Sequence, residues 1–209
     1  MRGIEAAQTG QQQRNKELLG GVRYLGEKVH SEVLPLTVDI GNQQALHQEQ
    51  IDALEGLQID AAAIAISSLA SLAEIGELDH LGGGLELIPS LLLTLAITDY
   101  ERIEYTIEHA HTSVGYYAAL AALGFIDEEV VVEGFRRGLD APGHVSWLPG
   151  GTQLNGGRLG VMIPVAVGQA LGKRAKRGEG GWVICHCGDA GYISGQALNG
   201  FNGAAVHGA

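Results

Sequence analysis

The stretch Trp182-Val183-Ile184-Cys185-His186-Cys187-Gly188-Asp189-Ala190 decides how this chain is read. Its first part is a short, mostly apolar run without helical spacing, the pattern of a strand inside a parallel sheet. Gly178 to Gly181 turns the chain into that run, and Gly188-Asp189-Ala190 ends it. Upstream, Leu159 to Lys176 predicts the strongest helix of the chain, with Leu159, Met162, Ile163, Ala166, Val167, Ala170 and Leu171 on one stripe. Downstream, a further helix is expected from about Gly195. Helix, strand and helix in this order predict an α/β fold with a largely parallel sheet.

Working outward, Ile103 to Ile107 alternates apolar and polar residues and predicts a second strand, ending in Glu108-His109-Ala110-His111. Val114 to Leu123 is an Ala-rich helix stopped by Gly124, and Asp127 caps another that runs to about Arg137. A long loop, Gly138 to Gly157, leads to the main helix. Asp60 to Ile75 predicts a helix, followed by the loop Asp79-His80-Leu81-Gly82-Gly83-Gly84. The next helix spans about Glu86 to Ile97, with Pro89 accommodated in its first turn. Residues 1–58 are polar and Gln-rich and are expected to form an N-terminal helical extension. Residues 59–209 then form the main domain.

The bulk numbers exclude several classes. The chain has 209 residues, 45% hydrophobic and 18% charged, an ordinary globular composition. A chain of this size buries about 70% of its unfolded surface without staples. A net charge of −11 is the wrong sign for tracking a phosphate backbone, so no nucleic-acid partner is expected. The cluster Lys173, Arg174, Lys176 and Arg177 falls at a helix C-terminus, where the dipole favours cations. The first residues lack the apolar core of a secretory signal. Ile88 to Ile97 is too short to cross a bilayer. The expectation is a soluble, cytoplasmic protein with no membrane partner. The two cysteines, Cys185 and Cys187, point to one face of a strand; as i,i+2 neighbours they are poorly placed for a disulfide and are expected to be buried and reduced.

In parallel sheets ligands bind at the carboxyl ends of the strands, and Asp189 stands there. A carboxylate at that place suits a hard cation such as Mg²⁺ bridging to a diphosphate. Four further motifs precede it in order: His80-Leu-Gly-Gly-Gly84, a strand ending in Ala110-His111-Thr112-Ser113, Pro142-Gly143-His144, and Gly157-Arg158-Leu159-Gly160. With Gly188-Asp189-Ala190 as the fifth, the series resembles the transketolase family over about residues 60–209. That family carries Gly-His-x-Gly, Gly-His, Pro-Gly-His, Thr-Gly-x-Leu-Gly and Gly-Asp-Gly in the same sequence.

The resemblance implies a parallel-sheet domain that binds thiamine diphosphate, with helices on both faces and incomplete at its C-terminal end. It implies that His80 lines the substrate channel, His111 approaches the diphosphate and His144 bonds the substrate near the reacting carbon. Gly157 and Leu159 would press on the aminopyrimidine ring. Gly188, Asp189 and Ala190 would hold the diphosphate and its Mg²⁺ (or Ca²⁺), with Asp189 as metal ligand. The activity implied is transfer of a two-carbon ketol unit between sugar phosphates. A homo- or heterodimer is implied too, with a second subunit or further C-terminal domains supplying the glutamate that activates the cofactor.

The chain departs from the family pattern in three places. Ala190 replaces the last glycine of the metal motif, with Gly191 following. Ser194 and Asn199 stand where many members carry glutamates. The rival readings are a deoxyxylulose-phosphate synthase, a 2-oxoacid dehydrogenase E1 component, or a non-catalytic partner subunit that keeps the fold without the metal. Pro142-Gly143-His144 favours transketolase.

Overall fold

Two strands, β1 (Ile103–Ile107) and β2 (Trp182–His186), pair in parallel with Ile103 opposite Trp182 and Ile107 opposite His186. The computed structural model describes residues 45–77, 79–98, 103–148, 151–152, 154–178 and 181–209, so residues 1–44 of the expected N-terminal extension lie outside the described residues. The ladder continues past the strand ends, where the Glu108 amide donates to the His186 carbonyl at 2.8 Å. On the far edge of β1, Ile107 bridges Asn155 in parallel, and the Gly156 amide donates to the Ile107 carbonyl at 2.9 Å. β1 is therefore the inner strand. Among the described residues β2 pairs only with β1 and its Trp182 is 61% exposed, in contrast to the interior position expected from its apolar run.

Alternation along β1 sorts the two faces of the sheet. Tyr105 and Ile107 join a core built with α1 (Gln48–Glu74), α2 (Gly82–Ile97), α3 (Ser113–Ala122) and α4 (Glu128–Val132). Glu104, Thr106 and Glu108 have the opposite parity. Glu104 there meets α5 (Met162–Arg177), where Lys173 pairs with it at 3.1 Å. α5 also packs against α7 (Gly195–His207), and the short α6 (Asp189–Tyr192) links β2 to α7. The arrangement is mixed α/β, with helices packed around a small parallel sheet.

Several boundaries differ from the sequence expectation. α1 starts at Gln48, not Asp60, and runs unbroken past residue 58. By length and composition it is the one described helix apolar enough to cross a membrane, yet Ala61, Ile64, Ala65 and Leu72 along it lie in the core. α2 begins at Gly82, which places Pro89 in the helix interior and removes the amide that would bond the Leu85 carbonyl. The Gly82-Gly83-Gly84 run is therefore the first turn of a helix and not a loop. Its tight spacing has a packing cause: a Cβ on Gly115 of α3 would collide with the Gly84 carbonyl, so these two helices cross backbone to backbone.

α4 ends at Val132, short of Arg137, and Asp127 precedes it without a side-chain capping bond. Gly124 stops α3 as expected, with φ of 76°. The basic end of α5 is used within the fold: beside the Lys173–Glu104 pair, the Arg174 guanidinium donates to the His207 and Gly208 carbonyls.

Candidate cofactor cleft

A cleft of about 670 Å³ opens at the carboxyl ends of both strands. Ligand sites in parallel sheets fall at this end because connections diverge there. His111, Leu159, Gly188, Asp189 and Ala190 line it, so five of the residues singled out in the sequence share one wall system. Asp189 is exposed, and its Oδ1 accepts from the Ala190 amide at 2.8 Å. Leu159, 46% exposed, offers an apolar side to the same space.

His144 and Gly157 lie beside one another outside the cleft lining, since a Cβ on Gly157 would sit 3.2 Å from the His144 ring. Both loops are nevertheless fastened to the turn bearing His111. The Ala110 amide donates to the Gly156 carbonyl at 2.9 Å, and the Val145 amide donates to the Ala110 carbonyl at 2.9 Å. His80 does not reach the cleft lining. Its segment is held by the Asp79–Arg136 pair at 3.3 Å, and the Arg136 side chain covers Gly143, next to His144. His80 itself is exposed.

The structure adds residues that the sequence did not single out. His109 and His186 line the cleft together with Ser90, Glu86 and Cys187. The His109 Nδ1 lies 3.0 Å from the His186 carbonyl, which can only accept, so the proton sits on Nδ1 and leaves Nε2 as an acceptor. Burial pushes the pKa of His109 down, against the raising effect of that bond. His186 is held in its neutral form by burial and then by His109, with its pKa lowered to about 4. Its Nε2 lies 3.0 Å from the Thr94 hydroxyl, which itself donates to the Ser90 carbonyl. The signal for His186 was its even spacing from Ile184, which turns both toward α2. The helix that would receive it could not be read from the strand alone.

Beneath the cleft floor lies Glu108, fully buried at 0% exposure. Its Oε1 accepts from the Gly160 amide, and its Oε2 has no hydrogen-bond partner. Gly191 packs directly on this carboxyl group: a Cβ there would fall 2.6 Å from Oε2 and 2.7 Å from Cδ. Gly191 thus faces inward, onto the Glu108 carboxyl group. Ser194, where the family pattern carries an acidic residue, is the N-cap of α7 and accepts from the Ala197 amide at 3.1 Å.

Cys185 and Cys187 are reduced and half-buried, less enclosed than the sequence implied. Their sulfur atoms lie 3.3 Å apart, because strand alternation turns both to one face. The hydrogen bond they share holds the Cys185 thiol below the ordinary thiol range and pushes Cys187 above it. No group of three or more His, Cys, Asp or Glu among the described residues is arranged to enclose a metal ion by itself. No protein-family model matches the chain, and no curated protein matches it.

Proposed function

We propose that this cleft holds thiamine diphosphate with Mg²⁺ and that the chain is the diphosphate-binding half of a transketolase-like enzyme. The observation that carries the reading is the convergence of His111, Leu159, Gly188, Asp189 and Ala190 on one cleft at the strand ends. These residues come from three separate segments of the chain, and the motif order that suggested them contains no information about distance.

The residues present fit the group. A volume of about 670 Å³ is in the range of cofactor pockets. Mg²⁺ needs only one or two protein carboxylates when phosphate oxygens complete its shell, so Asp189 as a lone carboxylate is an adequate donor set. When bound, thiamine diphosphate supplies the carbanion and electron sink for moving a two-carbon ketol unit between sugar phosphates. Asp189 holds the metal, and His111 donates to the diphosphate. Leu159 would border the organic part of the cofactor and exclude water from it, while Gly157 lies behind it, outside the cleft lining. His144, on the adjoining exposed loop, would bond substrate hydroxyls, and the resemblance gives exposed His80 a part in admitting substrate.

A second subunit or domain completes this site and carries the activating glutamate. On α6, α7 and the turn between them, Ile193 is 88% exposed and Tyr192, Leu198 and Phe201 are also exposed, apolar surface that a partner would cover. The test is calorimetric titration of thiamine diphosphate and Mg²⁺ into the chain co-purified with the product of its neighbouring reading frame. Asp189→Ala should abolish metal-dependent binding while far-ultraviolet circular dichroism stays unchanged. Unchanged affinity in that variant refutes the reading.

A further inference from the structure

We infer that Cys185 and Cys187 form a redox-active dithiol site that a hydroperoxide converts to an intramolecular disulfide. The two sulfur atoms already lie 3.3 Å apart, inside the distance at which two unbonded sulfurs rest without attraction. Both residues are partly exposed, and Cys187 lines the cleft, which gives a small oxidant a route to the pair. Cys187 lies just beyond the last residue of β2, and the ladder ends at the His186 carbonyl, which accepts from the Glu108 amide. The closing movement therefore falls on the Cys187 side chain and the peptide leading to Gly188.

The chemistry balances with the hydroperoxide as the sole oxidant. The Cys185 thiolate attacks one peroxide oxygen, an S–O bond forms as the O–O bond breaks, and the alcohol leaves after taking a proton. The Cys187 sulfur then attacks the sulfenic sulfur. The S–S bond forms, the S–O bond breaks, and the departing hydroxide leaves as water with the Cys187 proton. Two thiols lose two electrons, and the hydroperoxide becomes an alcohol and water. The order of attack follows from the shared hydrogen bond, which favours the Cys185 thiolate.

The site stands independently of the cofactor assignment. Its consequence for the cleft rests on that assignment: a disulfide would pull the segment leading into Gly188 and Asp189 toward β2.

The experiment needs no cofactor. The full chain is treated with hydrogen peroxide, free thiols are blocked with N-ethylmaleimide, and the peptide carrying both cysteines is weighed. These are the only two cysteines in the chain, so the count is unambiguous. The expected result is a loss of about 2 Da with no maleimide added, in a monomeric species, reversed by dithiothreitol. Cys187→Ser should instead trap a dimedone adduct on Cys185, and Cys185→Ser should show neither product. Two alkylated thiols after oxidant, a disulfide only between chains, or direct passage to sulfinic acid would each overturn the inference.

Discussion

Replacing Gly191 by alanine would place a methyl carbon 2.6 Å from Glu108 Oε2, 2.7 Å from its Cδ and 2.9 Å from its Oε1. Comfortable carbon contacts lie near about 3.5 Å, so something must move by several tenths of an ångström. Glu108 cannot swing to solvent, because it is fully buried and its Oε1 is held by the Gly160 amide. The strain is shared between Glu108 and α6, which begins with Asp189. Overpacking of this kind costs about 1–3 kcal/mol. Alanine restricts the unfolded chain and returns about 0.4–1 kcal/mol, leaving a net loss of roughly 1–2 kcal/mol. With a urea slope of about 2 kcal/mol per molar, the unfolding midpoint should fall by about 0.5–1 M. Glu108→Ala alone leaves the Gly160 amide buried without a partner, at about 1–3 kcal/mol. The double variant removes the collision, so its loss should be smaller than the sum of the single losses by about 1 kcal/mol or more. Equilibrium urea unfolding followed by circular dichroism measures all four proteins. A Gly191→Ala protein as stable as wild type, or single losses that add within about 0.5 kcal/mol, would refute the contact between Glu108 and Gly191.

Two other expectations concern the helix crossing and pH. Gly115→Ala drives a methyl group into the Gly84 carbonyl and should lower the melting temperature by about 4–10 °C in calorimetry, whereas Gly168→Ala, on open surface, should not lower it. His186 has its folded pKa depressed to about 4 from an ordinary 6.5, so between these values the unfolded chain binds the extra proton. Its contribution to stability is complete above about pH 6.5 and is lost as the pH falls toward about 4. Moving from about pH 7.5 to about pH 5 should remove up to about 2 kcal/mol, and His186→Gln should flatten that slope in parallel urea titrations. An identical slope in the variant would show that His186 is not the group responsible.

Local patterns carried the strands well. The alternation of Ile103 to Ile107 and the run ending at Cys187 each located a strand within one residue, because side-chain direction in a strand depends only on parity. Gly124 and Gly178 marked helix ends for an equally local reason: each has positive φ, which a side chain would strain. The apolar run from Trp182 also places Asp189 at a strand end, where the structure has it. What failed were inferences that needed a neighbour. Gly82-Gly83-Gly84 was expected to be a loop, yet it is helical, and α3 crosses so closely at Gly84 that a Cβ there would fall 2.5 Å from Val114.

The sequence by itself determined the parallel α/β pattern, the strand parities and the candidate ligand Asp189, since each follows from spacing along one segment. Only the tertiary structure decided that His109 and His186 join His111 in the cleft, while His144 and Gly157 pair beside it. It alone set Glu108 against Gly160 and Gly191, three residues separated by more than thirty positions at each step. Contacts of that kind arise from which helix covers which face of the sheet. Packing is settled by the shapes of all the side chains together, and no single segment encodes it.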